Sequence, residues 1–213
     1  LHGGTDRRAG HRTGWTRPGS RRAGASAVCE AEAEATYGRA IEALNHQRWD
    51  EARRLATQLL PRWATHAGVN FVVGVGALWQ GDHQAAHRHL LEGVRLNPSR
   101  PDYLAQLALL LVTMRFFPQA LKAAERARQM DPRDPLSLDA LGIVFTQTNA
   151  HALAEDVYAR AVAMAPDVAS LRFNLATAQM FVGKLDLAEA SYARCIELDP
   201  RYWRAYLARA QLK

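Results

Sequence analysis

Apolar residues along most of the chain recur at intervals of three and four, which is the spacing of one face of an α-helix. From residue 33 onward the helical stretches come in pairs. A short polar or glycine-containing turn separates the two members of each pair, and these turns are NHQR, QGDH, MRFF, TNAH and VGKL. The pattern predicts an all-α chain built from helix pairs.

Two residue types repeat along the chain with one shared period of thirty-four positions, which indicates an internal repeat. They are the prolines Pro98, Pro132, Pro166 and Pro200 and the alanines Ala52, Ala86, Ala120, Ala154 and Ala188. Dividing the chain at this period predicts five units and a partial sixth, which are residues 33–66, 67–100, 101–134, 135–168, 169–202 and 203–213.

Each unit has residues suited to holding two helices together. The first helix carries a large residue followed by a small one, and the small residue lets the partner helix approach closely; the pairs are Val73-Gly74, Leu107-Ala108, Leu141-Gly142 and Leu175-Ala176. The repeated proline ends the second helix, because proline cannot continue the hydrogen-bond ladder. Between two units, Asp134 is placed to cap a helix that begins at Pro135.

The period and these residues together resemble the tetratricopeptide repeat family over residues 33–213. The resemblance implies a right-handed solenoid of antiparallel helix pairs, with about five repeats and a terminal capping helix. First helices would line a concave groove and second helices would cover the convex side. Such solenoids bind a protein or peptide in the groove and carry no chemistry of their own.

The family pattern places a set of first-helix residues on the groove as peptide-binding candidates. Aromatic residues there would anchor an extended peptide, Asn174 would bond its backbone and Arg204 would meet a carboxylate. The alternative is that several of them, such as Phe173 and Phe181, pack between repeats. The candidates are Phe71, Val75, Trp79, Thr113, Asp139, Gln147, Phe173, Asn174, Thr177, Phe181 and Arg204.

One known subtype of the family, which clamps the C-terminal carboxylate of a chaperone, fits poorly. It needs a lysine where this chain has Asp139 and an asparagine where it has Ile143. An acidic Asp139 would repel the carboxylate. The sequence therefore leaves the identity of the groove ligand open.

Residues with catalytic or metal-binding chemistry are few and poorly arranged. His83, His87 and His89 lie close along one helix, but no acidic residue on the same face completes a ligand set, so we expect no metal. Nucleotide-binding and nucleophile motifs are absent, and Cys195 falls at a small-residue site where a buried, inert thiol is expected. We predict no catalytic residue and no cofactor in this chain.

The net charge of +6 is concentrated at the start of the chain. Residues 1–28 contain six arginines and one aspartate, and residues 1–32 are predicted to form a disordered leader rich in arginine and glycine. Contact with nucleic acid through this leader is the least favoured interpretation. No apolar run approaches the length of about 20 residues that a transmembrane helix needs, so we expect no membrane span. The two distant cysteines favour a reduced, cytoplasmic setting.

The last forty residues, from Phe173 to Lys213, are similar to the final repeats of bacterial sulfotransferases that carry tetratricopeptide repeats. Ala208, Gln211, Leu212 and Lys213 match the segment that leads into their catalytic domain. This resemblance implies an alternative, in which the chain is the N-terminal arm of such an enzyme and its PAPS-binding domain follows Lys213. The initial Leu1 and the abrupt end are expected of a fragment.

Overall fold

The computed structural model describes residues 19–212, with side chains from residue 29 onward. The chain divides after residue 35 into two compact units, and helix residues 19–35 are the described part of the first. Residues 19–212 form no strand and eleven helices, which are α1 (Gly19–Asn45), α2 (Trp49–Trp63), α3 (Ala67–Trp79), α4 (His83–Leu96), α5 (Pro101–Thr113), α6 (Phe117–Gln129), α7 (Pro135–Gln147), α8 (His151–Met164), α9 (Ala169–Phe181), α10 (Leu185–Leu198) and α11 (Trp203–Ala210).

Residues 36–212 form a solenoid of antiparallel helix pairs. Each first helix packs on the second helix of its own unit, as α3 does on α4 and α9 on α10. Neighbouring pairs stack through contacts of α5 with α7 and of α8 with α9. The predicted all-α fold, a solenoid of helix pairs, is confirmed.

The turn inside each unit contains one residue in the left-handed backbone region. These residues recur at the period of the repeat and are Gln47, Gly81, Arg115, Asn149 and Gly183, with φ of 57°, 77°, 65°, 58° and 80°. Glycine adopts this conformation without a steric penalty, whereas glutamine and arginine do not. The turn geometry is therefore imposed by the packing of the two helices and not by the local residue type.

Backbone hydrogen bonds close these turns in the same way in every unit. The residue after the left-handed position donates its N–H to a carbonyl in the last turn of the first helix, as Asp82 does to Ala77 at 2.9 Å and Lys184 does to Gln179 at 2.9 Å. This bond satisfies a carbonyl that the end of the helix leaves without a partner.

The junctions between units show the predicted helix signals. Asp134 Oδ1 accepts a hydrogen bond from the backbone N–H of Ser137 at 2.7 Å, and Pro135 begins α7. The predicted cap at Asp134 and the predicted helix start at Pro135 are both confirmed. The periodic prolines follow the ends of the second helices, as Pro98 follows α4 and Pro200 follows α10.

The two glycines among the small first-helix residues lie against larger residues of their partner helices, sixteen positions later. A Cβ atom on Gly74 would lie 2.7 Å from Leu90 Cγ and 2.9 Å from the Leu90 backbone nitrogen. A Cβ atom on Gly142 would meet the ring of Tyr158. The close approach expected from the sequence is therefore present at both glycines.

Two unit junctions carry the same exposed ion pair with its charges reversed. Arg53 Nη2 lies 2.6 Å from Asp82 Oδ2, and Lys184 Nζ lies 2.7 Å from Glu155 Oε1. Arg53 and Glu155 occupy equivalent repeat positions, and so do Asp82 and Lys184. Exposed pairs of this kind contribute about 0.2–1 kcal/mol each, so they help to fix the register of neighbouring units and add little stability.

Helix α1 begins at Gly19, inside the stretch for which the sequence predicted a disordered leader. Residues 23–36 are rich in alanine and glutamate, which are strong helix formers. The helix therefore extends further toward the N-terminus than composition and charge led us to expect. The arginines at positions 7, 8, 12 and 17 lie outside the described residues.

The last helix, α11, packs on α10 as the expected capping helix. Its Ala205 is fully buried in a cluster with Tyr192 and Cys195. Tyr206 and Leu207 face outward and are about half exposed. The cap therefore covers the core of the fifth unit with its smallest apolar residue and leaves larger ones at the surface.

Gly74 provides a test of the close approach between helices. Replacing it with alanine should lower the free energy of unfolding by about 1–3 kcal/mol, because the backbone of α4 would have to move away from α3. Gly38 is the matched control: it lies in α1, and a Cβ atom there would meet nothing within 4 Å. Gly38→Ala should raise stability by up to about 1 kcal/mol. Urea titration measures the change in the free energy of unfolding of each variant. Equal changes at Gly74 and Gly38 would show that the close contact at Gly74 does not restrict the residue there.

Candidate groove for a protein segment

A cavity of about 800 Å³ opens on the side of the solenoid formed by the first helices. Its lining residues come from α1, α3, α5, α7 and α9, from the turn that follows α1 and from the turns that precede α5, α7 and α9. The first helices of the pairs therefore supply most of this lining.

The first turns of α5, α7 and α9 contribute the same three repeat positions to the cavity. These are Arg100, Asp134 and Val168, then Asp102, Leu136 and Ser170, and finally Tyr103, Ser137 and Leu171. Because equivalent positions of a repeat lie along one side of a solenoid, the cavity runs across successive units. We refer to this cavity as the groove.

Three aromatic side chains form one wall of the groove. Phe71 stacks on Tyr103 with ring centroids 4.4 Å apart, and Tyr37 lies edge-on to His66 at 5.0 Å. Tyr37 fits there because the neighbouring Gly68 has no Cβ atom; one would collide with the tyrosine hydroxyl. Burial raises the pKa of Tyr103 to about 12, so its hydroxyl stays protonated well into the alkaline range.

Four aspartates and two arginines line the groove, which gives it an excess of negative charge. Arg100 is bidentate to Asp102, with distances of 2.9 and 2.6 Å. Asp131 pairs with Arg133 at 3.2 Å and with Arg160, outside the groove lining, at 2.6 Å. These pairs neutralise two of the four carboxylates.

The remaining two carboxylates are Asp134 and Asp139. Asp134 caps α7, where the positive end of the helix dipole offsets its charge. Asp139 lies deeper on α7 and accepts a hydrogen bond from Asn174 Nδ2 of α9 at 3.1 Å. Burial raises the pKa of Asp139, and the Asn174 hydrogen bond only partly opposes that shift. Asp139 is thus a partly desolvated carboxylate without a cationic partner among residues 29–212.

Ser137 is a second polar group of the groove that lacks a partner. Its side chain is buried, and its hydroxyl makes no hydrogen bond within the described chain. Burying a hydroxyl without a partner costs free energy. The oxygen has almost no exposed surface, so it is an unsatisfied polar group beneath the groove lining.

The exposed aromatic residues predicted for the groove lie instead at the corners of the helix pairs. Trp79, which is 44% exposed, stacks on Trp49 with centroids 5.0 Å apart. Phe181, which is 55% exposed, stacks on His151 at 4.3 Å. In each stack the last residue of a first helix meets the first residue of the preceding second helix. Neither Trp79 nor Phe181 lines the groove.

Of the eleven predicted groove residues, Phe71 and Asp139 line the groove. Phe71 is only 6% exposed, and Val75 is fully buried and lies outside the groove lining. The reason is that α3 is apolar throughout and packs against α2, α4 and α5 at once.

Two further predicted residues pack between helices. Phe173 contacts the rings of Tyr192 and Tyr202, with centroids 5.6 and 5.2 Å away. Thr177 Oγ1 lies 3.1 Å from the Tyr192 hydroxyl on α10. For Phe173 the packing alternative that the sequence left open is the one the structure shows.

The other predicted residues lie outside the groove lining. Asn174 reaches the groove only through its hydrogen bond to Asp139. Thr113 and Gln147 end their helices at the exposed corners, and the Arg204 guanidinium lies over Trp203, with its Cζ 5.7 Å from the ring centroid.

One of the three candidate metal-binding histidines, His89, has another partner. His89 Nδ1 lies 2.9 Å from Asn70 Oδ1, and burial lowers the pKa of His89. Across residues 29–212 no group of three histidine, cysteine or acidic side chains is arranged to hold a metal ion. Cys195 is fully buried, and burial raises the pKa of its thiol, which is the inert state expected for it. No helix in the described part of the chain has the length and apolar character to cross a membrane.

Sequence reasoning missed most of the groove lining, including Tyr37, Arg100, Asp102 and Tyr103. A signal for Tyr37 existed, because it lies one repeat period before Phe71, which was a candidate. No such signal marks the other three. They lie in or next to the first turn of α5, and the family pattern directed attention to the middle of the first helices.

Two stretches of the chain match the family described as tetratricopeptide repeat, over residues 105–169 and 169–202. The predicted tetratricopeptide repeats are therefore confirmed. No curated protein matches the sequence.

Several solved structures share the fold at low sequence identity. A chain of the APC/C hetero-tetramer Cut9–Hcn1 superposes with a TM-score of 0.69 at 17% identity; the match covers 84% of this chain and 36% of that larger one. TTC0263, a thermophilic TPR protein of Thermus thermophilus, gives 0.65 at 20% identity, with 84% and 98% covered. YrrB, a TPR protein with an unusual peptide-binding site, gives 0.58 at 16% identity, with 87% and 97% covered. These likenesses establish that the chain has the tetratricopeptide-repeat fold.

Asp139 predicts a particular dependence of stability on pH. Because its pKa is raised by folding, the folded state keeps the proton over a range in which the unfolded state has lost it. The free energy of unfolding therefore falls as pH rises from the ordinary value of 3.8 through the raised pKa. At pH 7 the Asp139→Asn variant should be more stable than the natural chain. The difference in free energy of unfolding between the two proteins should become smaller toward pH 4.

Urea titrations at several pH values measure this difference. Asp156→Asn is the matched control, since Asp156 is exposed on α8 and its replacement removes the same charge. It should change stability by less than about 0.5 kcal/mol at every pH. A destabilised Asp139→Asn variant at pH 7, or a difference that stays constant with pH, would contradict the desolvation of Asp139.

Proposed function

We propose that this chain is a non-catalytic scaffold that binds an extended segment of another protein in the groove. The observation that carries the proposal is the groove itself, because it spans five first helices and combines an aromatic wall with polar groups. Its volume of about 800 Å³ is within the range of natural ligand sites. The peptide-binding site of the structurally similar YrrB is consistent with this use of the fold.

The shape and lining of the groove favour a chain segment over a small molecule. The same repeat positions recur along it with different side chains, so it is an elongated surface that runs across successive units and suits an extended segment. Tyr37, which is partly exposed, presents a hydroxyl group beside apolar ring surface, a combination that is common at protein interfaces. Leu136 and Val168 add apolar contact area.

The alternative inferred from the C-terminal resemblance, an arm of a bacterial sulfotransferase, has no support in the comparisons. The cytoplasmic setting remains a prediction from the two distant cysteines. The argument for the groove depends on neither the sulfotransferase alternative nor the cytoplasmic setting, because it uses only residues 37–171.

A random peptide library displayed on phage and selected on the purified chain tests the proposal. Ser170 is exposed and lines the groove, so Ser170→Trp should obstruct it. Selected peptides should bind this variant at least about tenfold more weakly, which corresponds to about 1.4 kcal/mol. Isothermal titration calorimetry with synthetic peptides gives the affinities.

The matched control is Ala163→Trp, which places the same large side chain at an exposed position of α8, on a second helix. It should leave the affinities within about twofold, because α8 contributes nothing to the groove lining. Recovery of no peptide, or equal loss of affinity in both variants, would reject groove binding.

A further inference from the structure

We propose that the groove selects a basic segment and that Asp139 binds a lysine or arginine side chain of the partner. This inference rests on the proposed function and adds the charge of the partner and the residue that recognises it. It is the opposite of the carboxylate recognition for which a lysine would be needed at position 139.

The first argument is the charge balance within the groove. Asp102 and Asp131 are already paired with arginines, and Asp134 is committed to capping α7. Asp139 has neither an arginine partner nor a capping role, and its hydrogen-bond donor is the neutral side chain of Asn174. A cation entering the groove therefore finds one carboxylate whose charge is not yet balanced.

The second argument is the environment of that carboxylate. Besides Asn174, the neighbours that interact electrostatically with Asp139 are the hydroxyl groups of Tyr158 on α8 and Tyr202 before α11. Both are tyrosines whose pKa is raised by burial, so both are neutral. In such a partly desolvated place a charge pair is stronger than it is in water. Burial has removed water from the Asp139 carboxylate, and a basic side chain would replace part of the stabilisation that this water provided.

The third argument is the repeat position of Asp139. Tyr37, Phe71, Ala105 and Asp139 follow one another at the repeat period, so two residues of the aromatic wall and the carboxylate belong to one row of first-helix positions. Lysine and arginine have a long apolar stem and a charged end. The stem can lie against the apolar lining near Asp139, such as Leu136, while the charged end reaches the carboxylate.

Ser137 adds an observation independent of the carboxylates. It lines the same groove two positions before Asp139, it is buried, and its hydroxyl has no partner within residues 29–212. The hydroxyl itself has almost no exposed surface, so it does not contact a partner directly. Asp139 is partly exposed and is therefore the polar group of this part of α7 that a basic side chain reaches.

The opposing electrostatic effect comes from the helix ends. The N-termini of α5, α7 and α9 face the groove, and helix N-termini attract anions. Asp102 lies in the first turn of α5 and Asp134 caps α7, so two of the three ends are already occupied by acidic groups. The net charge of the lining remains negative, which favours a basic partner.

A positional-scanning library of decapeptides tests the inference. The peptides are acetylated and amidated, so that no terminal charge contributes, and one position at a time is fixed as lysine, arginine, glutamate or leucine. Binding to the full chain is measured by fluorescence anisotropy at neutral pH and near-physiological salt, which screens nonspecific attraction between distant charges. Lysine or arginine should be preferred at one position by about tenfold or more, the size expected of a charge-assisted hydrogen bond.

Asp139→Asn is the decisive variant, because it keeps the oxygen that accepts the Asn174 hydrogen bond and removes only the charge. It should abolish the basic preference while the affinity for the leucine-fixed peptides stays within about twofold. Asp156→Asn removes the same charge from α8 and should preserve the preference.

The outcomes separate this inference from the proposed function. A groove that binds peptides and is obstructed by Ser170→Trp, but shows no basic preference, would overturn the role of Asp139 and leave groove binding intact. A basic preference that survives Asp139→Asn would overturn it as well. Failure of every peptide to bind would overturn both.

Discussion

The contact between a small residue of each first helix and the residue sixteen positions later in its partner helix is the constraint on which the rest of the solenoid depends. At Gly74 the two helices are so close that the Leu90 backbone nitrogen would lie 2.9 Å from an added Cβ atom. That approach fixes the helices of a pair at one distance, and it forces the connecting residue into the left-handed region even where it is Gln47 or Arg115. Similar pairs then stack through similar surfaces, and the first helices are brought side by side along one face. The groove is a consequence of this packing.

The sequence predicted the fold well because periodic residues encode it. Ala52 and its equivalents, the glycines beside Leu90 and Tyr158, and the Asp134–Pro135 junction all act locally, within or between adjacent helices. The site was harder to predict because exposure depends on how many helices surround a position. Val75 and Trp79 lie on the same helix, yet three neighbouring helices bury the first, while the second is at an open corner. The beginning of α1 was missed for a different reason. The prediction of a disordered leader was based on its charge and composition, and it overlooked the helix-forming alanines that follow the arginines.

Asp139 connects the stability of the solenoid to its use. A carboxylate that is partly removed from water and lacks a cation lowers the stability of the unliganded fold. Such a group is retained more readily where a partner restores its charge balance, and perturbed side chains are common at functional sites for this reason. The corner stacks of Trp79 on Trp49 and Phe181 on His151 show the opposite arrangement, because their partners are already within the chain. The groove, and not the aromatic corners, is therefore the surface with unmet interactions.

Hydrogen exchange measured with and without a selected peptide tests the central claim most directly, because it reports which helices the ligand contacts. The account predicts slower exchange of backbone amides in the first turns of α5, α7 and α9, together with the segment of α1 around Tyr37. It predicts unchanged exchange in α4, α6 and α8. Protection confined to the second helices, or to the corners at Trp79 and Phe181, would contradict it.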